Sequence, residues 1–365
     1  MSELDKIRKN INNIDEQMAQ LFEKRMEMSE QVAAFKKTRG LSIRDAERER
    51  ELIDRNRRHI TDPAVASYYV QFLRGVLDLS CAYQSRLLSG MKVAYSGVEG
   101  AYGYLAARRM FPEARLIAYP DFAAAHRAVE VGEADSAVLP LENSYAGEVG
   151  AVMDLLFSGE LYINQVLNME IDHSLLGVEN ATVDTVRTVV SHPQALRQCD
   201  DYIKRRGYAT ETYSNTAMAA EYVRRTNDPA LAAIASEDAA EVFGLQVLER
   251  GINTAKTNTT RFAALSRTRN QPETTKKRED ENFVLVFTVQ NDAGSLAQTL
   301  NIIGAHGYNM RTLRSRPMKR LSWKYFFYVE AEGCINNTNG REMLQELSAT
   351  CAKLRLVGSY YANSI

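Results

Sequence analysis

The sequence predicts a multidomain protein with an all-α segment, an α/β segment of two lobes and a small α+β segment, in that order. Apolar residues recur at helical spacing near the N terminus, and short apolar runs alternate with helical runs through the middle. The last part of the chain reads strand, helix, strand, strand, helix, strand. We therefore place domains at 1–90, 91–267 and 282–365, with a polar linker at 268–281.

The composition is typical of a soluble cytoplasmic enzyme. With 365 residues, of which 45% are hydrophobic and 25% charged, the chain can build two or three cores. A net charge of -1 gives no reason to expect nucleic acid or a membrane as a partner. We find no long apolar run or leader peptide, and the four cysteines lack paired spacing. We therefore expect a cytoplasmic protein that needs no metal and no cofactor.

The first predicted helix carries an apolar stripe at spacings of three and four residues. The stripe consists of Leu4, Ile7, Ile11, Ile14, Met18, Leu21, Phe22, Met28, Val32 and Phe35. Such a helix is roughly 50 Å long and cannot bury its stripe within a ninety-residue segment unless a partner helix covers it. An intertwined helical dimer is therefore our hypothesis, and a coiled-coil dimerisation arm with ordinary surface charges is the alternative.

Polar residues at the end of this helix and on the next two could hold a small dianion without a metal, a nucleotide or a covalent nucleophile. They are Lys36, Asp45, Arg48, Glu49, Ser80 and Gln84. Asp45, Arg48 and Glu49 are spaced i, i+3, i+4, so they share one helix face. Ser80 and Gln84 are spaced i, i+4 and also share a face.

Two further cations precede this set on the first helix. Arg25 lies eleven residues before Lys36, about three turns, and therefore shares its face. Arg8 lies 17 residues before Arg25, which places it roughly 100° around the helix and about 25 Å along the axis. If Arg8 belongs to such a site, we expect it to belong to the site of another chain.

In order and spacing these positions resemble the active-site set of the all-helical chorismate mutases. The resemblance implies residues that bind the two carboxylates and the ether oxygen of chorismate, the first of them across a dimer: Arg8, Arg25, Lys36 and Arg48. It implies a second group that holds the hydroxyl and the ring region: Asp45, Glu49 and Ser80. Gln84 would pair with the ether oxygen.

The chemistry of a chorismate mutase needs such groups. The Claisen rearrangement of chorismate to prephenate has no nucleophile and moves no proton, so it gains from conformational restriction and from stabilised charge at the breaking C–O bond. One preorganised donor of that kind contributes about 3 to 4 kcal/mol. Glu49 must then be protonated, or paired with Lys or Arg, to lie near an anionic substrate.

The middle segment predicts an α/β fold with two lobes. Short apolar strands at 92–95, 136–139 and 231–235 alternate with helical runs such as 101–110 and 216–225. Such folds hold ligands at the carboxyl ends of strands. A non-catalytic, bilobal ligand-binding module is one interpretation of this pattern.

Three phrases stand where a strand or loop ends, at 97–102, 140–144 and 258–262. Taken singly, each has a structural explanation: a glycine turn, a helix N-cap at Asn143 or Ser144, and a loop that ends in a core Phe. Together they resemble prephenate dehydratase, and the similarity runs from about 91 to 267.

The strongest element of this second resemblance is the triplet Thr260-Arg261-Phe262. It implies that Thr260 assists departure of the ring hydroxyl as prephenate loses CO2 and water to give phenylpyruvate. Arg261 would order the loop or bind a carboxylate, and Phe262 would pack beneath it. The same cleft would be lined by Glu142, Asn143 and Ser144. A Thr hydroxyl is a weak acid, so we expect it to act as a hydrogen-bond donor.

The glycine loop departs from the pattern of this family. Its relatives commonly carry hydroxyl residues where Ala101 and Gly103 stand, so substrate contacts from this loop are not expected to use hydroxyls. We expect structural roles for His173 and His192, and buried apolar roles for the cysteines. A prephenate decarboxylase that keeps the ring hydroxyl is an alternative, but the complete triplet argues against it.

The last segment predicts a ferredoxin-like βαββαβ unit. Its elements are expected at 283–289, 295–307, 310–316, 324–330, 341–351 and 354–360. It resembles the ACT domains, small-molecule sensors that pair with another copy and bind amino acids at the interface. The resemblance implies an effector site made of Gly294, Ser295, Leu296, Arg314, Ser315, Arg316 and Pro317.

The second part of this effector motif normally opens with Glu, and here it opens with Arg314. Phenylalanine is the effector that we expect, and a dimerisation module without a ligand is the alternative. Together the three segments predict a bifunctional chorismate mutase and prephenate dehydratase, a homo-oligomer with a phenylalanine-responsive domain.

Overall fold

The computed structural model describes residues 2–39, 41–255, 257–269, 280–318 and 324–361. The chain divides into two compact units, Met1–Lys92 and Val93–Ile365. Most of the linker predicted at 268–281 lies outside the described residues. The second unit therefore contains both the predicted middle and the predicted C-terminal segments.

The first unit is all-α, as predicted. Its helices are α1 (Glu3–Arg39), α2 (Ala46–Arg57) and α3 (Pro63–Ser89). Asp45 caps α2 by accepting a hydrogen bond from the backbone N of Arg48, and Asp62 caps α3 just before Pro63. Helix α1 packs on α3, where Ala33 of α1 and Leu73 and Leu77 of α3 are buried.

The apolar stripe of α1 is not covered within one chain. All ten of its residues are between 41% and 65% exposed. Large apolar residues of α3 are exposed as well, among them Tyr68 and Phe72. So many large exposed apolar side chains are typical of an interaction surface.

The second unit opens with an α/β lobe, which we call the first lobe. Its elements before the chain leaves it are β1 (Lys92–Ser96), α4 (Tyr102–Met110), β2 (Arg115–Tyr119), α5 (Phe122–Glu130), β3 (Ser136–Asn143), β4 (Gly147–Glu148), α6 (Gly150–Ser158) and β5 (Tyr162–Glu170). The chain then builds a second lobe from β6 (Ser174–Gly177), β7 (Thr188–Ser191), α7 (Pro193–Gln198), α8 (Asp200–Arg206), β8 (Ala209–Thr212), α9 (Thr216–Thr226), β9 (Leu231–Ala235), α10 (Glu237–Phe243) and β10 (Gln246–Glu249). It returns to the first lobe with β11 (Thr259–Ser266). The predicted α/β segment with two lobes is therefore present.

Each lobe has its own sheet. In the second lobe the strand order is β10-β6-β9-β7-β8. Its central strand β9 is buried at every position, which explains why its sequence is a continuous apolar run rather than an alternating one. In the first lobe β11 lies between β3 and β5 and is antiparallel to both, so the returning strand completes that sheet.

The C-terminal part follows the predicted order. Its elements are β12 (Glu281–Thr288), α11 (Ser295–Ala305), β13 (Asn309–Pro317), β14 (Tyr325–Glu332), α12 (Thr338–Thr350) and β15 (Lys353–Tyr361). The four strands are antiparallel in the order β13-β14-β12-β15. Helices α11 and α12 cover one face of this sheet, where their residues Ile303 and Met343 share a buried core with Phe283 and Phe287 of β12.

The other face of these four strands packs on the first lobe. Val286 and Tyr328 belong to the same buried core as Met153 and Leu156 of α6. Next to them Phe157 stacks on Phe326, with ring centroids 4.3 Å apart. The C-terminal sheet is therefore buried on both faces, once by its own helices and once by the first lobe.

The C-terminal sheet and the sheet of the first lobe also join at their edges. Strand β15 pairs in parallel with β5 through Gly358 and Ile163. The result is one sheet of ten strands in the order β13-β14-β12-β15-β5-β11-β3-β1-β2, with β4 paired to β3. Arg355 of β15 strengthens the junction because its guanidinium donates to the carbonyl oxygens of Leu156, Gly159 and Leu161.

The junction at Gly358 leads to a stability prediction. A Cβ at this position would lie 2.0 Å from the carbonyl oxygen of Ile163, so Gly358→Ala must push the two strands apart. We expect it to lower the free energy of unfolding of the second unit by about 1 to 3 kcal/mol in urea denaturation followed by circular dichroism. The control is Gly304→Ala in α11, where a Cβ meets nothing within 4 Å. Equal stability of the two variants would contradict the observed junction.

Candidate active sites

Residues of α1 and α3 form the centre of a polar site in the first unit. The guanidinium of Arg25 donates to Ser80 Oγ, and Ser80 Oγ donates to the carbonyl oxygen of Val76 at 2.8 Å. Gln84 is buried one turn further along α3. Burial lowers the pKa of Arg25 from its ordinary value. The structure thus brings Arg25 to Ser80, with Gln84 one turn from Ser80 on the same helix.

The start of α2 lies close to this centre. Lys36 Nζ donates to the carbonyl oxygen of Ile43 in the loop that leads to α2. Glu49 accepts a hydrogen bond from Cys81 Sγ at 3.7 Å, and Cys81 follows Ser80 on α3. Arg44 Nε lies 3.3 Å from Glu49 Oε1. Glu49 is therefore paired with an arginine, which is one of the two states expected for it beside an anionic substrate.

Arg44 is a residue that the predicted set lacks. It pairs with Asp78 of α3 as well as with Glu49, so it ties the beginning of α2 to α3. Its position directly before Asp45 was visible in the sequence, but only the fold shows which carboxylates it meets.

Three predicted residues lie at the margin of this site. Asp45 uses Oδ1 to accept a hydrogen bond from the backbone N of Arg48 at 3.0 Å, so it acts as a helix cap. The side chain of Arg48 is exposed on the first turn of α2. Arg8 is exposed on α1, about 25 Å along the helix from Arg25, so a single chain does not bring it to the other residues.

A cleft of about 640 Å³ lies between the two lobes of the second unit. Of the residues predicted for the dehydratase site, Asn143, Thr260 and Phe262 line it. Thr260 is 9% exposed and Phe262 is 3% exposed, so both are held firmly in the sheet. This cleft is large enough for a small aromatic or cyclic acid.

Asn143 and Thr260 form the best-defined polar pair in the cleft. Asn143 Nδ2 donates to Thr260 Oγ1 at 2.9 Å. Asn143 Oδ1 accepts from the backbone N atoms of Tyr145 and Ala146 at 3.0 and 2.9 Å, which fixes the orientation of the amide. Because a hydroxyl has one proton and two lone pairs, Thr260 can accept from Asn143 and still donate its own proton to a ligand.

Glu142 and Arg261, which neighbour Asn143 and Thr260 along the strands, lie on the opposite face of the sheet. In the pairing of β3 with β11, Thr260 lies opposite Asn143 and Arg261 lies opposite Glu142. Successive side chains of a strand point to opposite faces of a sheet, so Glu142 and Arg261 point away from the cleft. Arg261 donates to Glu142 Oε1 at 2.8 Å. This placement corrects the expectation that Glu142 lines the cleft.

Ser144 also has a structural contact. Its Oγ donates to the carbonyl oxygen of Thr257 at 3.1 Å and accepts from the backbone N of Thr259 at 2.9 Å. It therefore ties the loop after β3 to the segment that enters β11, and it is not among the residues that line the cleft. Its expected place in the cleft is corrected in the same way.

Fixed charges surround Glu142 and Arg261 on the face opposite the cleft. Arg261 donates to Glu330 of β14 at 2.8 and 3.0 Å and contacts the hydroxyl of Tyr360 of β15 at 2.7 Å. Burial alone would raise the pKa of Glu142, but hydrogen bonds and charges from Arg261 and Arg314 outweigh it and lower that pKa. Glu142 is therefore a carboxylate at neutral pH.

The cleft itself is free of Asp, Glu, Lys and Arg among the described residues that line it. Helix N-termini border it instead. The first turns of three helices contribute lining residues: Tyr102 of α4, Gln194 of α7 and Thr216 of α9. A helix N-terminus carries a partial positive charge and unpaired N–H groups that bind anions.

The glycine loop before α4 fits this description. Ala101 is the N-cap of α4 and makes no side-chain cap hydrogen bond. The sequence predicted that Ala101 and Gly103 offer no hydroxyl, and both line the cleft. Backbone N–H groups of this turn remain as the groups that could bind an anion there.

Two histidines line the cleft as well. His192 caps α7, since its Nδ1 accepts from the backbone N of Gln194 at 3.2 Å. His173 is 2% exposed, and its Nε2 lies 2.9 Å from Gln198 Oε1. Burial lowers the pKa of both, so both are neutral at pH 7. Structural contacts account for them as expected, but the sequence did not predict that they border the cleft.

The predicted effector residues fall on two faces of the C-terminal sheet. Gly294 is the N-cap of α11, with a φ of 88°. Ser315 lies opposite Phe327, whose ring packs on the side of α11. Arg314 lies opposite Tyr328, which packs on the side of α6.

Both arginines of the motif form ion pairs with carboxylates of the first lobe. Arg314 pairs with Glu142 at 2.5 Å. Arg316 pairs with Glu148 at 2.6 Å and with Asp154 at 3.1 Å. Ser315 and Pro317 therefore lie on the face of the sheet that α11 covers, where the turn at Gly294 is also found. Arg314 and Arg316 point to the opposite face.

The described ranges contain neither a metal cluster nor a membrane-spanning helix. No group of three or more His, Cys, Asp or Glu side chains in these ranges could hold a metal ion. No helix within them is long and apolar enough to cross a membrane.

Comparison with known proteins matches both units. The family model of chorismate mutase type II matches residues 7–85, and that of prephenate dehydratase matches residues 93–270. The bifunctional chorismate mutase/prephenate dehydratase of Enterobacter agglomerans is 30% identical over 377 residues, which cover 98% of this chain and 96% of that protein.

Solved structures resemble about three quarters of the chain. GqqA, described as a novel type of quorum quenching acylase, is 31% identical, with a TM-score of 0.69, over 75% of this chain and 98% of its own. The prephenate dehydratase of Arthrobacter aurescens, solved in complex with L-Phe, is 24% identical, with a TM-score of 0.68, over 74% of this chain and 90% of its own. The second likeness shows a shared fold.

Proposed function

The chain belongs to the family of bifunctional chorismate mutase/prephenate dehydratases, and on that premise we propose which of its residues carry the two reactions and their control. It is an enzyme of phenylalanine biosynthesis that rearranges chorismate to prephenate and converts prephenate to phenylpyruvate. The observation that carries the residue assignment is the Asn143–Thr260 pair, in a cleft whose described lining has no charged side chain.

In the first unit, chorismate would lie between α1, α2 and α3. Arg25, Lys36 and Arg48 would bind its carboxylates, and Gln84 would donate to the ether oxygen. Ser80 and Glu49 would border the ring. These groups hold the substrate in the conformation that rearranges and stabilise negative charge at the breaking bond, which is all that this reaction needs.

A second copy of the chain would complete this site. The uncovered stripe of α1 supports a dimer, because its large apolar side chains are at least 41% exposed and each contributes about 1.5 to 3 kcal/mol when fully buried. In an intertwined dimer the Arg8 of one copy can reach the site of the other, which a single chain does not allow. We infer that the active mutase is at least a dimer.

In the second unit, prephenate would lie in the cleft with its carboxylates near the helix ends. Thr260 would donate its proton in a hydrogen bond to the departing ring hydroxyl, while Asn143 donates to Thr260 Oγ1 and keeps it oriented. As the ring carboxylate leaves as CO2, the electron pair of its C–C bond enters the ring and the C–O bond breaks. Aromatisation drives the step, so stabilisation of the leaving oxygen is the main task of the site.

The C-terminal part would be a ferredoxin-like ACT domain that binds phenylalanine. Its βαββαβ order and the L-Phe complex of the Arthrobacter aurescens enzyme support this proposal. We place the effector carboxylate at the turn of Gly294, Ser295 and Leu296, with Ser315 nearby. Arg314 and Arg316 are left out of the effector contacts because both pair with the first lobe. A cytoplasmic location stays a prediction.

Removal of the Thr260 hydroxyl should separate the two activities. We expect Thr260→Ala to lower phenylpyruvate formation from supplied prephenate by about 100- to 1,000-fold, the usual effect of losing one preorganised donor. Chorismate conversion to prephenate should not change. Thr259→Ala, next to it on β11, is the matched control. Parallel loss of both activities, or an equal effect of Thr259→Ala, would contradict the assignment.

Complementation tests the shared mutase site. Chains with Arg8→Ala and chains with Lys36→Ala should each lack mutase activity. Mixed by unfolding and refolding, they should recover about a quarter of the wild-type activity, since half of the dimers are mixed and each has one intact site. No recovery in verified heterodimers would exclude an Arg8 that acts across the dimer.

A further inference from the structure

Arg314 connects the C-terminal sheet to the strand that carries Asn143. Its Nη2 lies 2.5 Å from Glu142 Oε2, while Glu142 Oε1 accepts from Arg261 Nη1 at 2.8 Å. One carboxylate therefore bridges two guanidinium groups. One of them belongs to β11, beside Thr260, and the other belongs to β13 of the C-terminal part.

The pairing of β3 with β11 is irregular next to Asn143 and Thr260. The register of β3 and β11 shifts between Arg261 and Phe262, because Phe262 lies opposite Pro140 and Leu141 is the extra residue. A bulge interrupts the ladder of backbone hydrogen bonds and re-aims the side chains beside it. Side-chain contacts at the strand ends therefore add to the backbone pairing that keeps Asn143 opposite Thr260.

The side chains of this network are partly shielded from water, and that of Arg314 is 35% exposed. The side chains of Glu142 and Arg261 are 21% and 22% exposed, and that of Glu330 is 3% exposed. Tyr360 Oη donates to Glu330 at 2.5 Å and completes the far end of the network. Ion pairs that are partly removed from solvent are screened less than surface pairs, so this network can hold a geometry.

We propose that Arg314 is a positioning residue for the dehydration step: through Glu142 it holds the end of β3, and with it Asn143, in hydrogen-bonding distance of Thr260. This inference rests on the proposed dehydratase function of the cleft. The effector motif normally has Glu at this position, and this chain has Arg314. A Glu here would face the carboxylate of Glu142 with a second carboxylate, so the contact depends on the arginine. The C-terminal part thereby becomes a structural component of the catalytic site.

The test uses the full-length chain and measures kcat and KM for supplied prephenate. Arg314→Gln removes the charge, and Arg314→Lys keeps it. Arg311→Gln is the matched control, because Arg311 lies on the same strand and pairs with Glu332 of the same sheet. Mutase activity of each variant serves as an internal control of protein quality, since the mutase residues lie in the other unit.

We expect Arg314→Gln to lower the dehydratase kcat between about twofold and thirtyfold, with little change in KM. Arg314→Lys should recover part of that loss, and Arg311→Gln should match the wild type. Glu142→Gln should lower kcat as well, and the double variant Glu142→Gln/Arg314→Gln should be no worse than the poorer single variant, because both changes break the same contact.

Other results would overturn the inference. An unchanged kcat for Arg314→Gln, with or without a lower melting temperature, would show that the contact has only a structural role. Effects of the two single variants that add would show that Arg314 does not act through Glu142. A wild-type chain that makes no phenylpyruvate would instead refute the proposed function itself, so the two failures are distinguishable.

Discussion

The dehydratase half of this protein depends on how β11 pairs with β3. At the ends of these strands two adjacent cross-strand pairs lie on opposite faces of the sheet. Asn143 and Thr260 face the cleft, and Glu142 and Arg261 lie on the other face. The first pair presents a hydroxyl to the cleft, and the second is bound to the C-terminal sheet through Glu330 and Arg314. Because successive residues of a strand share one backbone, the inferred role of Arg314 is that the second pair holds the first in place.

The two sites meet the same problem, a dianionic substrate, in different ways. The site proposed for the first unit relies on charged side chains of exposed or half-buried helices, where water limits the cost of desolvation. The cleft of the second unit uses helix ends and neutral polar groups, and its charges lie behind the sheet. Among the described residues, this arrangement leaves Thr260 without a competing carboxylate or cation in the cleft, as the proposed hydrogen bond to the leaving oxygen requires.

Much of this organisation could be predicted from the sequence. The stripe of α1 and the apolar run of β9 follow from local patterns, and the motifs located Asn143 and Thr260. Strand alternation could also have placed Arg261 opposite to Thr260 and Phe262. The junction at Gly358 and the pairing of Arg314 with Glu142 could not be predicted, because each joins residues far apart in the chain and leaves no periodic pattern.

The most direct test of the two-site assignment is a time course of chorismate conversion by the purified chain, with chorismate, prephenate and phenylpyruvate measured in parallel, with and without phenylalanine. We predict that prephenate rises and then falls as phenylpyruvate accumulates, and that phenylalanine slows the second step. Prephenate that accumulates without phenylpyruvate would contradict the assignment, since the Asn143–Thr260 pair would then not perform the dehydration.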